Sequence, residues 1–340
     1  KSLATTLQGQ IWSIKEKKTG RDYILKIASR RLHDKKLSHF SVSDCDSPLS
    51  NVTIHEDIVK EASVMKYICS LPAVPASIIG YRGFLESNKN YYLIMQHGGS
   101  ALFDFIARAH KLLALNKLDI EQWLPVVHAI FKQLVDAVDF LHAHRVTHSD
   151  ISLENMTIAN HIHIAVHHQG TPNERVKFVN LAKDIQIKLI DFGVAEKFAS
   201  SNANDHHLND ECKSSQHGKA SPFASTKFCG KRNYQSPEIV RREVFDAAAN
   251  DVWCMGICLF MMVAGSGPWN VASVSDAAYE LVMKGHLKPL LQHWGKLAYF
   301  DADLLDLITG ILQPESKRVS VAEIKAHAWY TQTMKTPNKT

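Results

Sequence analysis

Val146-Thr-His-Ser-Asp-Ile-Ser-Leu-Glu-Asn-Met156 is the stretch on which the reading of this chain turns. It places Asp150 two residues after His148 and five before Asn155, and Ile190-Asp-Phe-Gly193 follows downstream. An acid, an amide five places on, and a second acid ahead of Phe-Gly form the layout of a phosphoryl-transfer site. In such a site Asp150 accepts or orients the hydroxyl proton of an incoming substrate. Asn155 and Asp191 hold Mg²⁺ against nucleotide phosphates. An Asp-Phe-Gly tripeptide alone is most often a plain turn, so the ordered set carries the reading.

Length and charge set the frame. The chain has 340 residues, enough for one large domain or two lobes with their own cores. Its net charge of +5 is a mild excess that suits a polyphosphate ligand or a solvated basic surface. No basic-aromatic stripe supports a nucleic-acid partner. The cysteines are scattered with no Cys-x-x-Cys pair, which points to reduced thiols and a cytoplasmic location rather than to a zinc or disulfide scaffold. The apolar run Val252 to Ala264 is shorter than a bilayer crossing, so a buried helix and no membrane segment are expected.

Working outward, Ile11-Trp-Ser-Ile14 and Asp22 to Ala28 are rich in β-branched and aromatic residues and read as a β-hairpin around Lys17-Lys-Thr-Gly20. Leu32 to Asn51 is polar and aperiodic, an inserted loop. Ile58, Ala62, Met65 and Ile68 share one helical face between His55 and Cys69. Strands are expected at Ile78 to Phe84 and Tyr91 to Met95. Gly98-Gly-Ser100 breaks the pattern, so a boundary at 96–99 separates a β-rich lobe (1–95) from a helical one (100–334). Helices are predicted at Leu102 to Leu115 and Glu121 to His144, and a strand hairpin over Met156 to Leu189 with a polar insert at 161–183. Four histidines between His161 and His168 read as a solvated edge rather than a metal site. Ala199 to Ser225 is Ser-, Asn- and His-rich, and helices at Asp251 to Val263 and Leu304 to Leu312 follow.

With these landmarks in order, the chain resembles a eukaryotic protein kinase catalytic domain over nearly its whole length. Lys26 is similar to the family's phosphate-gripping lysine, and Glu61 to the helix glutamate that pairs with it. Asp251 matches the invariant acid of Asn250-Asp-Val-Trp253, Ser236-Pro-Glu238 the Ala-Pro-Glu motif, and Arg318 its late arginine partner. The resemblance implies an α+β, two-lobed fold with an activation segment at 191–238. It also implies ATP and Mg²⁺ as cofactors, with Asp150 as base and Asn155 and Asp191 as metal ligands. His148 becomes a packed structural residue beside Phe192 and Met65. Met95 resembles the gatekeeper, and Gln96 and Gly98 would present adenine with backbone groups.

Several positions depart from the family pattern. Of the Gly-rich loop only Gly9 and the apolar Ile11 remain, with Ala4 and Thr6 where the first two glycines belong. Side chains there loosen the backbone cradle for phosphates. Ile24 replaces the small residue above the adenine. Ser152 stands where serine/threonine members carry a lysine two residues after the catalytic aspartate. Lys231 follows Cys229-Gly230, where they carry a threonine. The expectation is that Lys231 supplies the missing cation with Ser152 as its partner. Ser149 replaces the arginine that commonly receives an activation-loop phosphate, so that contact is not expected to be needed.

The implied function is phosphorylation of protein serine and threonine, with a pseudokinase scaffold as the alternative. Glu154 matches a position that receives substrate arginine while Met261 replaces a second acid, which implies a mild preference for basic sequences. Tyr23-Ile-Leu-Lys26 and the lost glycines are similar to the divergent protozoan branch named for Phe-Ile-Lys-Lys, which includes exported members.

Overall fold

The computed structural model describes residues 1–5, 9–31, 57–159, 181–199 and 221–334. The inserted loop at 32–51, Thr6, the four histidines of 161–168 and most of the second insert lie outside the described residues.

Five antiparallel strands build the first lobe: β1 (Ser2–Thr5), β2 (Gly9–Lys15), β3 (Asp22–Ser29), β4 (Tyr81–Glu86) and β5 (Asn90–Gln96), in the order β1-β2-β3-β5-β4. On β3 the pleat turns Lys26 and Ala28 into the buried face. Helix α1 (Ile58–Ser70) packs on this sheet. Asp57 caps it, accepting from the Val59 and Lys60 N–H groups at 2.9 and 3.1 Å. Its buried stripe contains Ile58, Ala62, Met65 and Ile68, and also Glu61. A charge on an apolar stripe requires a partner, which the site provides.

The strand expected from Ile78 begins at Tyr81 instead. Ile78 makes a parallel bridge to Leu189, and the Ile79 N–H donates to the Leu189 carbonyl at 3.1 Å. The apolar run is genuine, but it pairs with the strand that leads to Asp191, and a buried run does not reveal its partner.

The second lobe is mainly helical. After β6 (Ser100–Ala101) come α2 (Leu102–Ala114) and α3 (Ile120–Ala143). Two short antiparallel strand pairings deliver the site residues. β7 (Val146–Thr147) runs into His148, and β8 (Met156–Ile158) pairs antiparallel with β9 (Ile187–Leu189). β10 (Glu196–Lys197) pairs with β7, and β11 (Ala224–Ser225) with β12 (Phe245–Asp246). Helix α4 (Ala247–Ala264) forms the core and packs against α3 and α5 (Ala302–Ile311).

Helix α4 is longer than its apolar run. Its 18 residues are apolar enough, by length and composition, to cross a membrane, but 83% of them are buried inside the protein. It is therefore packed as a core helix. Together the sheet with α1 and the helical portion give the α+β, two-lobed architecture.

Candidate active site

The junction of the lobes gathers the charges. Lys26 Nζ lies 2.9 Å from Glu61 Oε2 and 3.3 Å from Asp191 Oδ1. Glu61 is fully buried and Lys26 nearly so. Buried ions persist only when paired, so this chain fixes α1 against β3. Asp191 adopts a left-handed backbone at φ +65°, a strained conformation that its surroundings enforce. Burial disfavours its charge, but the Lys26 ammonium, its hydrogen bond and the Gly193 N–H outweigh this and hold the carboxyl below the ordinary range.

Asp150 is fastened through one oxygen. Asn155 Nδ2 donates to Asp150 Oδ2 at 2.6 Å and to the Asp150 carbonyl at 2.8 Å. Asp150 Oδ1 is buried and has no hydrogen-bond partner among the described residues. Burial raises the Asp150 pKa, opposed first by the Lys231 charge and then by His148 and Asn155. Burial thus makes the Asp150 carboxylate a better proton acceptor than a solvated aspartate.

Below it, Asp251 is fully buried. It accepts from the His148 N–H at 2.9 Å, the Ser149 N–H at 2.8 Å and His142 Nε2 at 3.0 Å. This cradle sets the loop that carries Asp150. His148 is wholly buried, with Nε2 3.0 Å from the Ile190 carbonyl and its ring in edge contact with Phe192. Its Nδ1 accepts from the Asp150 N–H at 3.3 Å, so both ring nitrogens are engaged in structure.

Lys231 and Ser152, far apart in sequence, meet: Lys231 Nζ donates to Ser152 Oγ at 2.6 Å. The ammonium lies 3.8 Å from Asp150 Oδ2 and 4.0 Å from Glu154 Oε2. Gly230 makes this approach with φ +85°, a conformation that glycine adopts without strain. Glu154 Oε2 also accepts from the Tyr234 hydroxyl at 3.0 Å.

At the positions expected to face a nucleotide, Ile24 pairs across the sheet with Met95, and Ile11 with Lys26. The Gln96 N–H donates to the Gly80 carbonyl at 2.8 Å, and the Gly98 carbonyl accepts from Thr157 Oγ1 at 2.7 Å. The Gly98 N–H donates to nothing among the described residues. Gly9 has a structural reason: a Cβ there would sit 1.7 Å from the Ile27 carbonyl oxygen. Backbone contact within the sheet forbids a side chain at Gly9, independently of any phosphate.

The donor set suits a hard cation. Asn155 spends its amide nitrogen on Asp150, which leaves its oxygen, and Asp191 offers carboxylate oxygens. At the far end, Arg318 Nη2 donates to Glu238 Oε2 at 2.9 Å, both side chains buried.

Sequence reasoning missed Glu196, Lys227, Tyr234 and the Cys229 thiol. Cys229 Sγ donates to the Ser149 carbonyl at 3.2 Å, and burial pushes its thiol up to about 12. Each contact joins residues tens of positions apart with no periodic signal to announce it.

Comparison with known proteins agrees with the geometry. The family described as protein kinase domain matches residues 7–330. CBL-interacting protein kinase 11 of Oryza sativa subsp. japonica is 26% identical over 280 residues, which cover 82% of this chain and 43% of that protein. SNF-related serine/threonine-protein kinase of Homo sapiens is 27% identical over 247 residues, 72% of this chain and 24% of that protein. The chain therefore spans less than half the length of these curated relatives. A family match over most of the sequence, on a fold that joins Lys26, Glu61 and Asp191, places this chain in the protein kinase domain family.

Proposed function

We propose that this domain transfers the γ-phosphoryl group of ATP, with Mg²⁺, to serine and threonine hydroxyls of protein substrates. The observation that carries the reading is the unbroken chain Glu61–Lys26–Asp191, which presents a fixed cation beside a metal-competent acid. Transfer spreads negative charge over phosphate oxygens, and fixed cations in a dry site stabilise it most. Lys26 holds the nucleotide phosphates, and Glu61 keeps that ammonium in place. Mg²⁺, when bound, neutralises charge on those oxygens, and Asn155 and Asp191 would hold it. Asp150 receives the proton of the substrate hydroxyl. Lys231 adds a second cation on the substrate side, oriented by Ser152.

Glu154 is already bonded to Tyr234 and close to Lys231, which supports a mild rather than a strict preference for basic sequences. The names of the relatives support serine and threonine as acceptors.

The test is transfer of labelled γ-phosphate to mixed basic Ser/Thr and Tyr peptides, with Asp150→Asn in parallel. Transfer to Ser/Thr that Asp150→Asn abolishes is the expected result. Transfer no greater than that of the variant would favour the alternative, a pseudokinase scaffold.

A further inference from the structure

Glu196 lies five residues beyond Asp191 and is only 6% exposed. It sits opposite Thr147 in the β10–β7 pair, one residue from His148. Its two oxygens are held differently: Oε1 is buried and accepts no hydrogen bond among the described residues, and it meets Lys227 Nζ as an ion pair. Ser225 Oγ donates to Oε2 at 2.9 Å. Ser225 Oγ also accepts from the Lys227 N–H at 3.2 Å, so the three residues form a closed knot.

The knot lies where four segments meet. β10 continues from Asp191, and β7 leads into Asp150. Residues 225–227 run into Cys229, whose thiol is bonded to the Ser149 carbonyl, and then into Gly230 and Lys231. On α1, next to Glu61, Lys60 is lowered first by burial and then by the Lys227 charge, with Glu196 opposing, so it faces the same cluster.

A buried carboxylate is costly unless partnered. Both side-chain partners of Glu196 come from one short segment, so the charge is satisfied in one placement of that segment. Three residues separate Lys227 from Lys231, and the intervening Cys229 is pinned to the loop of Asp150. A fixed Lys227 therefore restricts where the Lys231 ammonium can stand.

We propose that Glu196 is a positioning residue for phosphoryl transfer, a built-in anion that fastens 225–227 and thereby sets Lys231 against Asp150 and Ser152. This rests on the proposed function of the same site. No added phosphate is needed to supply the anion, since the chain carries it.

The experiment compares wild type, Glu196→Gln, Lys227→Met, Lys227→Arg and the double variant Glu196→Gln/Lys227→Met. Glu196→Gln keeps shape and an acceptor for Ser225 but drops the charge. The expected loss in peptide kcat is about 10- to 100-fold, as for a reacting group displaced by roughly 1 Å, with the KM for ATP little changed. Lys227→Arg should retain turnover and Lys227→Met should lose it. The double variant should lose no more than Glu196→Gln, because the pair acts as a unit.

Wild-type kcat in Glu196→Gln, or a double variant whose loss is the product of the single losses, would overturn the inference. Hydrogen exchange over 224–231 reads the tether without turnover. Faster exchange in Glu196→Gln supports it, and unchanged exchange refutes it. A wild-type protein that transfers nothing would count against the proposed function, while the exchange result would still decide the tether.

Discussion

Lys231 Nζ donates to Ser152 Oγ at 2.6 Å while standing 3.8 Å from Asp150 Oδ2. The hydroxyl and the ammonium are thus exchanged between the two loops, relative to the pattern that the sequence resembles. A cation reaches the same neighbourhood from the loop that follows Cys229-Gly230. Lys231→Met should lower kcat about 100-fold, the scale of losing one preorganised charge at the transferring group. The reciprocal exchange, Ser152→Lys with Lys231→Thr, should recover part of it in steady-state assays.

The same contact governs the pH profile. Asp150 accepts a proton only when ionised. Burial raises its pKa, and the Lys231 charge is the foremost influence holding it down. Without that ammonium the pKa rises further, so the acid limb of kcat against pH moves to higher pH in Lys231→Met. A limb that does not move would exclude Lys231 from influence on the base.

In the proposed role of base, Asp150 also carries a cost in stability. Its folded-state pKa is raised, so its favourable contribution is present below the unfolded value and lost as pH rises through the folded one. At neutral pH its buried charge is a burden. Asp150→Asn should abolish transfer and yet unfold at an equal or higher Tm near pH 7.5, with the gap narrowing toward about pH 4. Thermal unfolding at both values checks this.

The Glu238–Arg318 pair behaves in the opposite sense. Burial opposes the charge of Glu238, but Arg318 outweighs it and holds the pKa low. Its contribution is present above the unfolded glutamate value and is lost as pH falls through the folded one. Arg318→Met strands a buried carboxylate and should cost about 3–5 kcal/mol in urea unfolding at neutral pH. The deficit relative to wild type should shrink in acid, as Glu238 takes a proton.

Ser149 offers no cation to a phosphate. Its N–H is bonded to Asp251, its hydroxyl to Thr147 and its carbonyl to Cys229. Phosphatase-treated protein should therefore keep its peptide turnover. Loss of turnover that rephosphorylation restores would show a phosphate-dependent contact elsewhere.

Fold class and the ordered set Lys26, Glu61, Asp150, Asn155 and Asp191 were legible along the chain. Each of those residues stands at a defined offset within a short motif, so the set can be read along the chain. The sequence also marked Ser152 and Lys231 as a reciprocal departure, because each stands at a defined offset from a motif. Tertiary structure alone decided that Lys231 reaches Ser152, that Gly9 is required by the Ile27 carbonyl, and that Ile78 pairs with Leu189 rather than extending β4. It alone brought Glu196 to Ser225 and Lys227, and it buried α4 in the protein. The reason is physical: helix and strand periods are local and can be read along a chain. The partner of a buried charge or an apolar run is set by packing between distant segments, and local sequence does not encode that distance.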